Sequence, residues 1–309
     1  VKDVPSSMLE PLRSVLRPVY PGGAPTTSEL FGDRVGSVNL NVSPEDGSGL
    51  SNATFNLTIE SERSRVRAEL MTRDGTLLGQ GETAIRVDSM NLRPLAAAVL
   101  PERLTLRGDG SGMVALQNVE IPLRDGVWPD LSGSSVSARL IVGEFGVLID
   151  GDETPTRLKS LDTLVEIAPG KPAEVRADYR FERGGRVFDL FARSTVDSFD
   201  LPSDIREISP GTFRSARATV KAKLTDAPVS LVDAFDPDMA RAVRELGGET
   251  VTIALRPSAS GDGRAHTLDV TTGGDRFAGR STVALRGGEL TVTDSQYTGR
   301  LTPRAFDFL

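Results

Sequence analysis

Apolar and polar residues alternate along most of this chain with a period of two, the period of a β-strand. Val175, Ala177, Tyr179 and Phe181 fall on one side of such a strand, and Arg176, Asp178, Arg180 and Glu182 on the other. Phe55, Leu57 and Ile59 alternate with Thr54, Asn56, Thr58 and Glu60. Val136, Ala138, Leu140 and Val142 follow the same rule, as do Ala216, Ala218, Val220, Ala222 and Leu224. Ser281, Val283 and Leu285 alternate with Arg280, Thr282, Ala284 and Arg286. Strands with one dry and one wet face belong to antiparallel sheets, because parallel strands are covered on both faces. Asp74-Gly75, Gly184-Gly185, Gly273-Gly274 and Gly287-Gly288 separate such runs, and dipeptides of this kind supply the positive φ angles of tight hairpins. The pattern predicts hairpins over residues 67–86, 175–196, 265–286 and 277–293, several with strands near ten residues, longer than the usual five or six or so.

Three segments depart from this period. Residues 7–20 place Met8, Leu12, Val15, Leu16 and Val19 at helical spacing, with Pro11 in the first turn. Residues 92–100 form a short apolar segment closed by Pro101. Residues 229–246 space Val232, Phe235, Met239, Val243 and Leu246 three or four apart, with Asp236-Pro237 starting a second short helix and Gly247-Gly248 ending it. Around two of these segments the order helix, strand, Gly-rich turn, strand recurs: strands at 103–107 and 112–116 after the first, and a strand at 249–256 followed by another after the second.

The expected fold is mainly β: a long antiparallel meander forming a strongly curved sheet or groove, or alternatively a sandwich or closed barrel, with about three short helical segments. The expected organisation is an N-terminal helix and linker over 1–34, a long-stranded region over 35–228 with the short helix near 92–100, and a helix followed by β-hairpins over 229–309. Thr298 through Thr302 reads as the start of a further strand, and the chain begins at Val1, so a piece of a longer protein is expected.

Composition narrows the chemistry. The 309 residues include 36 Lys plus Arg, 43 Asp plus Glu, one His and no Cys, for a formal net charge of −7. Without cysteine there is no disulfide framework and no thiolate ligand or nucleophile. A mildly acidic chain lacks the clustered cations that a nucleic-acid groove needs. Arg outnumbers Lys by 31 to 5, which reads as genomic base composition and fits a bacterial source. No apolar run approaches the ~20 residues of a membrane helix.

Candidate reactive groups are few. His266 lies in a strand pattern, without any G-x-S-x-G elbow in the chain, and reads as a solvent-facing strand residue. Asp150-Gly151-Asp152-Glu153 has the oxygen density of a Ca²⁺ loop but not its later bidentate Glu, and reads as a solvated hairpin tip. Glu45-Asp46-Gly47 reads as a loop. Paired carboxylates for glycoside hydrolysis are a matter of spatial arrangement, but with 5% aromatic residues and Trp128 as the only Trp the chain offers few sugar platforms. Asn41, Asn52 and Asn56 head N-x-S/T triplets that matter only in a glycosylating secretory pathway. No P-loop, dinucleotide fingerprint or H-E-x-x-H occurs, so the chain reads as non-enzymatic, with no cofactor and no metal.

Leu92–Leu116 (LRPLAAAVLPERLTLRGDGSGMVAL) and Phe277–Gly299 (FAGRSTVALRGGELTVTDSQYTG) combine a short apolar helix, long two-faced strands and Gly-Gly hairpins. In this the chain resembles the AsmA-like superfamily, the AsmA/TamB/YhdP-type group of bacterial envelope lipid-transport proteins. The resemblance implies a curved β-sheet groove with an apolar interior, location in the periplasm or cell envelope of a bacterium, and phospholipid or acyl chains as partners. It implies no catalytic residues. The family's N-terminal membrane anchor has no counterpart in the sequence, so membrane association is expected only through flanking parts outside it. Phe55, Leu57, Ile59, Leu140, Val142, Val175, Tyr179, Phe181, Val220, Val283 and Leu285 are the expected lining of a lipid groove. The alternative is a structural or adhesive β-module of an exported protein that buries the same faces internally and meets other proteins through strand edges or loops.

Overall fold

The computed structural model describes residues 2–5, 26–45, 49–79, 83–91, 104–107, 111–126, 128–149, 154–197, 201–204, 207, 217–233, 241, 243–245, 248–258, 266–274, 276–286 and 289–299. They form one antiparallel sheet whose strands follow one another in chain order. β1 (Lys2–Pro5), β2 (Arg34–Pro44), β3 (Ala53–Ser61) and β4 (Arg65–Arg73) are successive neighbours. β5 (Thr76–Gly79) and β6 (Ile85–Asn91) share the next position, each pairing with β4 on one side and with β8 (Ser111–Arg124) on the other. β7 (Leu104–Arg107) pairs with β11 (Phe145–Ile149), while β8 pairs with β10 (Ser135–Val142) and, at its tip, with β9 (Trp128–Pro129). β12 (Thr156–Ile167) pairs with both β10 and β11. β13 (Ala173–Arg183), β14 (Arg186–Asp197), β15 (Arg217–Pro228), β16 (Thr250–Ser258), β17 (His266–Gly274), β18 (Phe277–Arg286) and β19 (Glu289–Gly299) complete the order. Among the described residues no pairing joins β19 to β1 or β2, so the ladder does not close into a barrel. The sheet is continuous across residues 34 and 229, since β1 pairs with β2 and β15 with β16.

Local chemistry explains the hairpins. Asp74-Gly75 and Gly184-Gly185 carry φ values of 50°, 73°, 57° and 76°, the two consecutive left-handed residues of a two-residue turn matched to strand twist. Gly273 and Gly274 are different: they extend β17 opposite Thr252 and Val251, and the turn follows them. The hairpin expected here is present, β17 pairing with β18 up to Gly273 opposite Ala278. Arg286 pairs with Glu289 across 287–288, which lie outside the described residues. Thr298 and Gly299 belong to β19, paired with Ala278 and Phe277, and residues 300–302 of the expected further strand lie outside the described residues.

Of the repeated helix–strand–turn–strand order, the strands are present as β7, β8, β16 and β17, while residues 92–100, 108–110 and 259–265 lie outside the described residues. β16 and β17 pair as a hairpin, whereas β7 and β8 do not pair with each other: β7 lies against β11 and β8 against β10. Residues 7–20 and 92–100 lie outside the described residues, so the helices expected there do too. Within 229–246 the structure has the short helix α2 (Ser230–Asp233) and helical residues 241 and 243–245. A further short helix, α1 (Thr27–Phe31), is opened by a local signal: Thr26 accepts from the Glu29 amide while the Glu29 carboxylate accepts from the Thr26 amide, the reciprocal T-x-x-E cap.

Three non-glycine residues inside strands have positive φ: Ser89, Asn118 and Asp226, at 57°, 49° and 55°. Each sits where the register slips, between Val87 and Met90, between Gln117 and Glu120, and between Leu224 and Ala227. Bulges of this kind add one residue to one strand and increase bend and twist, so they curve a sheet that would otherwise run flat.

Burial is shallow. Among the described residues the buried apolar side chains are mostly Ala and Val, and only Ile59, Leu158 and Phe188 are larger than valine. Val142 and Leu158 form one small cluster; Phe188, Ala227 and Val251 form another, joined by Leu231 of α2.

Candidate ligand-binding face

Residues opposite one another in a ladder share a face of the sheet, so register converts alternation into a map. One row runs Val38, Ile59, Val66, Val87, Val114, Leu140, Thr163, Ala177, Ala192, Ala222, Leu255, Val270, Ser281, Ser295, each paired with the next. It crosses fourteen strands, or about 60 Å at the usual strand spacing, without a charged residue. Beside it lies Leu40, Leu57, Ala68, Ile85, Leu116, Ala138, Val165, Val175, Ser194, Val220. On its other flank lies Val142, Leu161, Tyr179, Leu190, Leu224, Ile253, Thr272, Gly279, Tyr297. These two rows are also uncharged. Most of their side chains are half-buried, and among the described residues no second sheet lies over them.

The residues expected to line a groove sit on this face. Ile59 and Leu140 are in the first row, Leu57, Val175 and Val220 in the second, Val142 and Tyr179 in the third. Phe55 pairs with Val42 and Leu70; Phe181 pairs with Leu158 and Phe188; Val283 lies two residues from Ser281 along β18. Leu285 pairs through its backbone with His266, and the side chains of both lie outside the described set. Ile59 and Val142 are buried, the others half-buried, and Val220 is 44% exposed. Reading strand by strand missed Leu161, Leu190, Ile253 and Leu255, which register places between the named residues.

One end of the face is covered. Val229 is fully buried and Leu231 of α2 packs beside Phe188, Phe181, Leu224 and Ile253. Phe181 stacks between Tyr179 and Phe188, with ring centroids 5.9 and 5.2 Å apart. Arg183, the last residue of β13, is buried there and donates to Thr154 O, Thr156 Oγ1, Ser230 Oγ and Ser230 O. It ties the β11–β12 connection to α2.

The opposite face is a lattice of opposite charges. Arg139 holds Asp162 through two bonds of 2.9 and 2.5 Å. Lys159 lies 3.1 Å from both Glu144 and Glu182; Glu174 receives Arg193 at 2.7 Å and Arg176 at 3.1 Å; Arg180 meets Asp189 at 2.9 Å. The Arg139 hydrogen bond lowers the Asp162 pKa from its ordinary value, and Arg193 followed by Arg176 lowers that of Glu174. Glu144 and then Glu182 raise the Lys159 pKa. These groups are largely exposed, so their pairing keeps the face wet and ordered more than it adds stability. Phe191, 41% exposed, and Val187, 52% exposed, are apolar residues on this side, as are Met113, Ile141 and Leu164, which register places beside Arg139 and Asp162.

Most of the reactive groups weighed in the sequence fall outside the described residues. Asp150 through Glu153 fall between β11 and β12, outside the described residues, and 46–48 likewise fall between β2 and β3. Among the described residues no three His, Asp or Glu side chains are grouped to hold a metal ion, and no helix is long and apolar enough to cross a membrane. Trp128 is 64% exposed on β9. Comparison with protein-family models, with curated proteins and with solved structures finds no match to this chain.

Proposed function

We propose that this chain is a non-enzymatic lipid-binding or lipid-transfer module of a bacterial envelope, with acyl chains lying on the uncharged face of the meander. The observation that carries this reading is the uninterrupted uncharged row from Val38 to Ser295, backed by a charged face and not roofed by a second sheet among the described residues. A sheet of this kind has a use for a ligand: each methylene moved from water onto such a strip is worth about 0.8 kcal/mol. The resemblance to AsmA-like proteins supports the same reading and supplies phospholipid as the ligand class and the periplasm as its place.

A fluorescent fatty acid is the direct probe. The wild-type protein should take it up with rising emission. Ala192→Glu puts a carboxylate in the middle of the row, between Ala177 and Ala222. It should bind at least about tenfold more weakly, because the charge must be desolvated against the chain. Thr271→Glu adds the same charge on the opposite, exposed side and should bind normally. Equal uptake by all three proteins, or none by the wild type, contradicts the proposal. A structural module mediating protein contacts is the second reading, favoured by the exposed outer strands of the sheet; it takes up no lipid.

A further inference from the structure

The uncharged face changes character along its length. From β2 to β16 its three rows are Ala, Val, Leu and Ile, with Thr163, Tyr179 and Ser194 scattered singly among them. On β17, β18 and β19 four of the six positions carry a hydroxyl: Thr272, Ser281, Ser295 and Tyr297, around Val270 and Gly279.

These hydroxyls stand together. Ser295 Oγ donates to Ser281 Oγ at 3.1 Å, and Ser281 Oγ shares a hydrogen bond of 2.6 Å with Tyr297 OH. Ser281 is 8% exposed and Tyr297 59%. The Tyr297 ring lies across Gly279: a Cβ there would run into Cδ1 and Cε1 of the ring and stand 3.1 Å from Thr272 Oγ1. Ring and Thr272 hydroxyl therefore meet in the space that glycine leaves. Thr272 Oγ1 is buried and has no hydrogen-bond partner among the described residues.

Four hydroxyls carry four protons, and the two hydrogen bonds among them use two. One of the remaining protons is on Thr272. The other is on whichever of Ser281 and Tyr297 accepts in their shared bond. Buried donors without acceptors are costly, so the cluster calls for a ligand that accepts. No position of these rows on β17, β18 or β19 is charged. A phosphate or carboxylate would lie there without a balancing cation. An ester carbonyl is uncharged, accepts hydrogen bonds and donates none.

Taking this face as the lipid site proposed for it, we infer that the Thr272, Ser281, Ser295 and Tyr297 hydroxyls seat the ester carbonyls of a phospholipid. The acyl chains run from there along the row toward Val38, and the phosphate stays in water. Tyr297, held by its hydrogen bond to Ser281, lifts off Gly279 as the lipid enters and uncovers the Thr272 hydroxyl.

Two phosphocholine lipids of equal chain length, one with ester-linked and one with ether-linked chains, test this by displacing the fluorescent fatty acid. The ester lipid should displace it from the wild type at a concentration at least about fivefold lower, the worth of one to two net hydrogen bonds. Thr272→Val and Ser281→Ala each remove a hydroxyl with little change of volume, and both are checked by far-UV circular dichroism. In each, the preference for the ester should shrink while displacement by the ether lipid holds. Ala192→Glu should weaken both lipids alike. Ester and ether lipids that compete equally for the wild type, or a preference that survives both hydroxyl substitutions, overturn the ester seat and leave the lipid face standing. If neither lipid displaces the probe, the seat and the lipid face fall together.

Discussion

Replacing Phe188 with alanine is expected to cost about 3–5 kcal/mol of folding stability. The side chain is 3% exposed and stacks on Phe181, with Ala227, Val251, Leu224, Leu231 and Ile253 around it. Its ring therefore joins β13, β14, β15, β16 and α2. A sheet covered by a second layer spreads such a load over many large side chains. Here, among the described residues, Ile59 and Leu158 are the only other buried apolar side chains larger than valine. Losing one ring removes a large share of the dry contact and leaves a cavity the single layer only partly closes. Urea unfolding should show a lower midpoint with the slope little changed. Phe188→Leu keeps most of the volume and should cost about 1.5 kcal/mol or less. A loss below about 1 kcal/mol for the alanine variant would mean this end is not the dry anchor described.

Arg183→Ala is the second large effect, expected near 3 kcal/mol, at about 1.5–3 kcal/mol for each hydrogen bond to a charged group, discounted because Ser230 is half-buried. The guanidinium is 4% exposed and reaches Thr154 O at 2.6 Å, Thr156 Oγ1 and Ser230 O at 3.1 Å, and Ser230 Oγ at 3.3 Å. Alanine removes the donor and leaves two carbonyls to find water. Arg183→Lys restores the charge but not the planar fork, so it should recover only part of the loss. Hydrogen exchange separates this from a general weakening: amides at 229–233 should open first, well before those in the centre of β13. Uniform exchange across both would contradict the clamp.

The sequence foretold strands more readily than their neighbours. Alternation at 175–181 and at 136–142 placed Tyr179 and Leu140 on dry faces, because a half-buried strand writes its orientation residue by residue. Gly184-Gly185 and Asp74-Gly75 marked true turns for the same local reason. Register is not local. Nothing in the order of residues says that Leu161 stands between Val142 and Tyr179, or that Ala192 stands between Ala177 and Ala222, and these pairings turn separate stripes into one face. Gly273-Gly274 marked a true hairpin, β17 to β18, although both glycines still pair with β16 as the last residues of β17. The strands read on either side of residues 108–110 are present, but they pair with β11 and β10 and not with each other, which no local signal announces. Arg183 lies in a run of alternating charges that gives no hint of burial; its role comes from α2, some forty-seven residues away.

The central claim is that the uncharged face is open and takes acyl chains. Native mass spectrometry of protein purified without harsh detergent tests it most directly. Discrete mass additions of phospholipid size are expected, disappearing on organic extraction and reduced in Ala192→Glu. A protein that flies at its sequence mass under gentle conditions, and still does so after incubation with phospholipid vesicles, would contradict it.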